Sequence, residues 1–163
     1  VRDKDAVGAT MLIAEMASFY KEKGLTLWDV LQNLYKEHGF YEEKTVSVAI
    51  GGIDPMSKMR EIMSNLRSNP PKEVCSIPAV SLMDYKSQIS TDISTGDDTK
   101  DASLPVADML KFTLSDGTSA IIRPSGTEPK IKIYILASNE NKDTAKKMCD
   151  DYSAYLKNML QNM

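Results

Sequence analysis

Histidine and cysteine are scarce in this chain: one histidine, His38, and two cysteines, Cys75 and Cys149, stand among 163 residues. The cysteines lie far apart and form no C-x-x-C pair, so they read as buried thiols and not as a disulfide or a metal-binding pair. Long apolar runs are missing as well, since none approaches the ~20 residues that cross a bilayer. Basic tracts are also absent. The net charge is −3, and without a Lys/Arg-rich run the chain lacks the electrostatic footprint of a nucleic-acid binder. Neither nucleic acid nor membrane is therefore expected as a partner. What remains is the composition of a soluble globular protein, 42% hydrophobic and 26% charged, long enough for one domain and a piece of another.

Periodicity lays out the elements. Asp5 can cap a first helix in which Val7, Met11 and Ala14, with the Ile13, Met16, Ala17 and Tyr20 set, recur at helical spacing until Gly24. Thr26 opens a second helix, with Asp29 three residues on as its capping-box partner. Its apolar stripe is Leu27, Val30, Leu31 and Leu34, and Gly39 ends it. Trp28 and Tyr35 extend that stripe and read as core, with no basis for a cofactor box. Residues 45–50 alternate like a short strand, and Gly51-Gly52 marks a domain boundary. A third helix starts at Asp54-Pro55 and presents Met56, Met59, Ile62, Met63 and Leu66 on one face, read as core packing, until Asn69-Pro70-Pro71 stops it.

Strands are expected over residues 74–83, 109–114, 118–123 and 130–137, with Ser115-Asp116-Gly117 as a tight turn between the second and third. Residues 87–103 are polar and acidic and read as a solvated loop. Asp97, Asp98 and Asp101 within it lack calcium-loop spacing and read as surface charge. Residues 141–163 form a closing helix with Ala145, Met148, Cys149, Tyr152, Leu156 and Met159 on its buried side. This order predicts an α+β fold, an antiparallel sheet with helices covering one face.

The most telling stretch is Arg123-Pro124-Ser125-Gly126-Thr127-Glu128-Pro129-Lys130, a proline-stiffened loop between two strands. Arg123 offers a planar fork of donors suited to phosphate oxygens. Ser125 and Thr127 supply hydroxyls, and Gly126 lets backbone N–H groups approach an anion without a Cβ in the way. Arg123, Lys130 and Lys132 face Glu128 alone among residues 119–138, a positive patch in an acidic chain. The same residue types also make ordinary hairpin loops, and residue chemistry alone leaves that alternative open.

The string RPSGTEPKIKIY, residues 123–134, resembles the phosphate-binding loop in the last domain of the α-D-phosphohexomutases, the family of bacterial phosphoglucomutases and phosphomannomutases. The stretch Val1-Arg2-Asp3-Lys4-Asp5-Ala6-Val7 resembles the segment after the sugar-recognition motif in that family's third domain. The family's T-x-S-H-N-P-like phosphoserine segment, D-x-D-x-D-R-like Mg²⁺ loop and G-E-x-S-G-like sugar segment have no counterpart here. His38 sits in Lys36-Glu37-His38-Gly39, and Asp97-Asp98-Thr99-Lys100-Asp101 has the wrong spacing for the metal loop. With Val1 first, the resemblance implies the C-terminal part of a longer cytoplasmic enzyme. Residues 1–50 would be the end of the third domain, and residues 51–163 a phosphate-binding domain shaped like the TATA-binding protein. That shape carries no DNA-binding inference.

Members of the family interconvert sugar 1-phosphates and 6-phosphates through a phosphoserine and a bisphosphorylated sugar, with Mg²⁺ and a sugar bisphosphate activator. The resemblance implies a phosphoglucomutase first. A phosphomannomutase or phosphopentomutase stands as an alternative, as does a non-catalytic phosphosugar-binding module. It assigns the substrate phosphate to Arg123, Ser125, Gly126, Thr127 and Lys132, gives Glu128 and Lys130 no ligand role, and places no catalytic or metal-binding residue in this chain. The chain alone is expected to be inactive, and the apolar faces of residues 1–50 are expected to stand uncovered, open to mobility or self-association.

Overall fold

Helix starts are set by side-chain caps. Asp5 accepts from the Gly8 N–H at 2.8 Å and opens α1 (Ala6–Glu22). Thr26 and Asp29 form a reciprocal capping box at the start of α2 (Leu27–His38), and Gly39 closes that helix. Asp54 accepts from Ser57 ahead of α3 (Pro55–Ser68), whose first residue is a proline that has no N–H to leave unsatisfied. Asn141 accepts from Thr144 ahead of α4 (Lys142–Gln161). The computed structural model describes residues 4–163, so Val1, Arg2 and Asp3 of the opening stretch lie outside the described residues.

The chain divides into two compact units, one ending at Phe40 and the other Tyr41–Met163. In the first, neither α1 nor α2 buries a side chain. Trp28, expected in a core, is 61% exposed, because two helices alone offer too little cover for an indole. Tyr35 stacks on Phe40 instead, with ring centroids 4.9 Å apart.

The second unit is built on a sheet. Its strands are β1 (Phe40–Ala49, whose first residue is the last of the first unit), β2 (Glu73–Val74), β3 (Ile77–Asp84), β4 (Ile89–Asp92), β5 (Asp98–Lys100), β6 (Leu110–Leu114), β7 (Ser119–Pro124) and β8 (Lys130–Asn139). Their spatial order is β1-β8-β7-β6-β3-β4-β5, with β2 paired to β3 off that path. The β3–β6, β6–β7 and β7–β8 pairings at its centre are antiparallel. The unit starts ahead of the Gly51-Gly52 pair expected as a boundary, since Val48 and Ile50 are buried in its core.

Alternation decides which face is covered. Leu110, Phe112 and Leu114 of β6, Ala120 and Ile122 of β7, and Ile131, Ile133 and Ile135 of β8 are all buried. They form one cluster with Met59, Ile62, Met63 and Leu66 of α3 and with Cys149, Tyr152, Leu156 and Leu160 of α4. Both helices therefore cover the same face, as the order of elements predicts. Burying each large apolar side chain contributes roughly 1.5–3 kcal/mol before the entropy cost is counted.

Two polar ties complete the packing. The buried Tyr152 hydroxyl donates to Asp116 Oδ2 at 2.7 Å and fastens α4 to the β6–β7 turn. Burial, then the Asp116 contact and charge, hold the Tyr152 phenol well above its ordinary pKa. Arg67 at the end of α3 pairs with Asp84 at 3.2 Å and also with Asp108, which joins the helix to β3 and to the segment before β6.

The structure corrects two strand expectations. Residues 87–103 are not a bare loop, because β4 and β5 form a hairpin there in antiparallel register. Thr91 bonds Asp98 at 2.6 Å across it, and Asp92 accepts the Ser94 and Thr95 N–H groups at the turn. The expected strand 74–83 is broken at Cys75 and Ser76, both at positive φ (50° and 65°), which makes a two-residue turn between β2 and β3. Cys75 and Cys149 are free thiols, the second buried. Among the described residues no helix is long and apolar enough to cross a membrane.

Candidate phosphate site

The loop between β7 and β8 is closed by its own backbone. The Ser125 N–H donates to the Lys130 carbonyl at 2.9 Å, and the Lys130 N–H donates to the Glu128 carbonyl at 2.8 Å. From outside, the Ile50 N–H donates to the Pro129 carbonyl at 2.8 Å. Ser125 Oγ accepts the Glu128 N–H at 3.3 Å, which leaves the hydroxyl hydrogen free to donate outward.

Strand register then places the cations. Arg123 of β7 stands directly opposite Lys132 of β8, on the face away from the buried Ile122, Ile131 and Ile133. Directly opposed side chains have Cβ atoms about 5 Å apart, and like charges so placed destabilise a sheet. The loop's own carboxylate, Glu128, forms no ion pair with either. Glu128 is ion-paired with Lys130, and that hydrogen bond, then the Lys130 and Lys132 charges, hold its carboxyl below the usual range. Among the described residues no carboxylate pairs with Arg123 or Lys132.

Arg123, Pro124, Ser125, Gly126, Lys132 and Tyr134 line one small cavity of about 160 Å³. Four of the five residues expected at a phosphate site thus share a single wall. Thr127 does not join them: it is exposed at the loop tip and lines neither this cavity nor its neighbour. At Gly126 a Cβ would meet nothing within 4 Å, and its φ lies outside the left-handed region. Neither packing nor backbone conformation demands glycine there, so any such demand would come from a ligand.

A neighbouring cavity of about 500 Å³ shares Arg123 to Gly126 and adds Met56, Met59, Arg60 and Met63 from α3. Arg60 went unremarked in the sequence because its face of α3 reads as surface. Tyr134 shares the strand face of Lys132, as their spacing of two predicts, but the sequence assigned it no site role. A third cavity, about 370 Å³, holds Glu42 and Glu43 with no cation, and suits no anion.

Comparison with known proteins identifies the family. Residues 67–152 match the phosphoglucomutase/phosphomannomutase C-terminal domain. A phosphoglucomutase of Staphylococcus epidermidis is 33% identical over 151 residues, covering 93% of this chain and 27% of the relative. One from Staphylococcus aureus is 36% identical over 143 residues, covering 88% and 26%. The chain spans about a quarter of the length of these relatives. The open form of pp63/parafusin, an exocytosis-sensitive phosphoprotein and phosphoglucomutase from Paramecium, superposes on 100% of this chain and 29% of its own, with a TM-score of 0.58 at 15% identity. That last likeness is one of fold.

Proposed function

We propose, from the premise that this chain belongs to the phosphoglucomutase/phosphomannomutase family, that Arg123, Ser125, Gly126 and Lys132 hold the non-reacting phosphate of a hexose phosphate. Thr127 joins them if the loop tip folds over the ligand. The observation that carries the reading is the Arg123–Lys132 pair, two cations opposed across β7 and β8 with no carboxylate partner. A bound dianion turns their mutual repulsion into two attractions. Arg123 grips as a bidentate fork and Lys132 as a point charge. The Ser125 hydroxyl donates a third hydrogen bond.

The parent enzyme, on this reading, interconverts glucose 1-phosphate and glucose 6-phosphate in the cytoplasm. Glucose phosphates are favoured because both Staphylococcus relatives are phosphoglucomutases. A phosphoserine and a bisphosphorylated sugar intermediate carry the transfer, and a sugar bisphosphate serves as activator. The loop's task is to hold whichever phosphate is idle, in either orientation of the sugar. Binding at that remote end aligns the reacting end. Charge-assisted hydrogen bonds suit the task because they follow the phosphate and ignore the ring.

Magnesium is the metal the family implies. Among the described residues no three His, Cys, Asp or Glu side chains come together as a metal site. The residues present do not fit Mg²⁺. The unit ending at Phe40 derives on this reading from the third domain and Tyr41–Met163 from the phosphate-binding domain, a boundary ahead of the one expected at residues 50–51. The uncovered apolar row on α1, with Val7 74% and Met11 69% exposed, would meet the rest of the parent, or a second copy of the isolated chain.

Titration of the ¹⁵N-labelled chain with glucose 6-phosphate, against plain glucose, tests the reading. Amide shifts are expected along residues 123–134 with the phosphate ester only. Arg123→Ala should weaken binding at least tenfold, the loss of a charge-assisted contact of about 1.5–3 kcal/mol, and Arg123→Lys should restore part of it. Equal binding of glucose 6-phosphate by Arg123→Ala and wild type would reduce the loop to an ordinary hairpin. The chain alone should not interconvert the two glucose phosphates.

A further inference from the structure

We infer that Tyr134 is a further ligand-contacting residue of this site, its phenol donating a hydrogen bond to the anion held by Arg123, Ser125 and Lys132. The inference rests on the phosphate-binding reading above and adds a residue to it.

Three observations carry it. First, β8 alternates strictly: Ile131, Ile133 and Ile135 are buried in the core, while Lys132 and Tyr134 take the opposite face. Two residues along a strand cover roughly 6.8 Å, about the reach of a tyrosine side chain lying along it. Second, Tyr134 lines the same cavity as Arg123, Ser125 and Lys132. At about 160 Å³ that space falls below the roughly 300–1,000 Å³ of a whole-ligand pocket. It suits a phosphate group and the atoms next to it, so a side chain on its wall meets the phosphate before the sugar ring. Third, Tyr134 is half-buried, and its hydroxyl, within reach of solvent, has no hydrogen-bond partner within the described residues. Its cross-strand neighbour on β7 is Ile121, which offers none.

A phenol on a wall with two cations has one chemical use that a phenylalanine lacks. The ring contributes nothing to the buried cluster that the hydroxyl would improve. An unpartnered O–H beside a cationic pair is instead a neutral donor, which adds a bond to phosphate oxygen without adding to the Arg123–Lys132 repulsion. The opposite polarity is disfavoured, since an ionised phenol would repel the dianion.

The experiment measures the Kd of inorganic phosphate and of glucose 6-phosphate for wild type, Tyr134→Phe and Arg123→Ala by amide-shift titration. In parallel, the Tyr134 ¹³Cζ resonance is followed in tyrosine-labelled chain. It is picked out of the seven tyrosines by its absence from Tyr134→Phe, or by ring contacts to the Ile121 methyls should that variant fold poorly. Tyr134→Phe is expected to raise both Kd values about tenfold, as for a lost hydrogen bond to a charged group, with the free protein's amide spectrum otherwise unchanged. The wild-type ¹³Cζ signal is expected to move on saturation with phosphate. A purely structural tyrosine would leave ¹³Cζ still. Should Arg123→Ala lose binding while Tyr134→Phe binds as wild type and ¹³Cζ stays fixed, the Tyr134 inference falls and the phosphate site stands. Should wild type bind neither probe, or Arg123→Ala bind both unchanged, the site itself falls and Tyr134 with it.

Discussion

The two helix pairs of this chain make a natural experiment. α1 and α2 have good caps, and α2 has a complete capping box, yet neither buries a side chain. α3 and α4 have comparable caps and bury four and six residues respectively. Caps and periodicity fix where a helix begins and which face is apolar. They do not say what that face meets. At 17 and 12 residues, α1 and α2 lie near the length at which isolated helices are marginal in water, about 12–15 residues. Their stability is local, whereas that of α3 and α4 is shared with the sheet.

Separating the regions should give the largest effect. Residues 41–163 expressed alone are expected to unfold in one cooperative transition, and residues 1–40 alone to show little helix. Circular dichroism melts of both pieces check this, and a cooperative melt from residues 1–40 would erase the contrast. Next comes a matched pair of truncations. Leu156→Ala in α4, at a position 0% exposed, is expected to cost about 2–5 kcal/mol through lost transfer and a cavity. Leu12→Ala in α1, at a position 60% exposed, should stay within about 0.5 kcal/mol. Urea titration of both variants measures the difference.

A smaller loss is expected from Tyr152→Phe, which removes the buried hydroxyl bonded to Asp116. About 1.5–3 kcal/mol is typical of a hydrogen bond to a charged group, and the same urea experiment would read it. Smallest of all is the capping box. Thr26→Ala should cost α2 about 1 kcal/mol of its own stability while leaving the melt of residues 41–163 untouched. The Asp29 carboxyl is held below its ordinary value of 3.8 by the Thr26 hydroxyl and N–H. Its folded pKa is depressed, so its contribution is present above pH 3.8 and disappears as pH falls through the lowered value. Helicity of α2, followed by amide exchange, should fade on acidification in wild type and show no such step in Asp29→Asn.

The same contrast explains what was legible in the residues. Asp5, Thr26 with Asp29, and Asp54 announced three helix starts, because a cap is a local interaction between neighbours; the fourth helix was placed by its apolar period, and its cap, Asn141, is seen in the structure. The apolar alternation of β6, β7 and β8 was equally plain, since each strand has one buried face. The β4–β5 hairpin was not: Asp98, Thr99 and Lys100 are exposed on both faces, so no alternation marks the pairing, and its Asp and Thr contacts look like loop chemistry. The break at Cys75-Ser76 was hidden for another reason, namely that neither residue advertises a positive φ. Trp28 misled because an apolar stripe promises a neighbour that the first unit does not contain. At the site, loop chemistry pointed to Arg123, Ser125, Gly126 and Thr127, and the family resemblance added Lys132. The exposed position of Thr127 depends on how the loop folds, and although spacing puts Tyr134 on the face of Lys132, the cavity they share with Arg123 forms only once β7 pairs beside them.

The opposed Arg123 and Lys132 have a thermodynamic consequence away from any substrate. Two cations without an ion-pair partner, opposed across one strand pair, repel each other, and on the phosphate-binding reading a phosphate dianion in solution becomes a folding ligand. Its contribution follows mass action, about 2.7 kcal/mol at one hundred times the dissociation constant. Melting temperature would then depend on buffer anion. Arg123→Ala is expected to melt at or above wild type in phosphate-free buffer and below it in concentrated phosphate. Scanning calorimetry in the two buffers would show that crossing, or two parallel curves if the repulsion is fully screened. On the phosphate-binding reading, the residue proposed to grip the ligand is a burden on the free fold, a case of function held at the expense of stability.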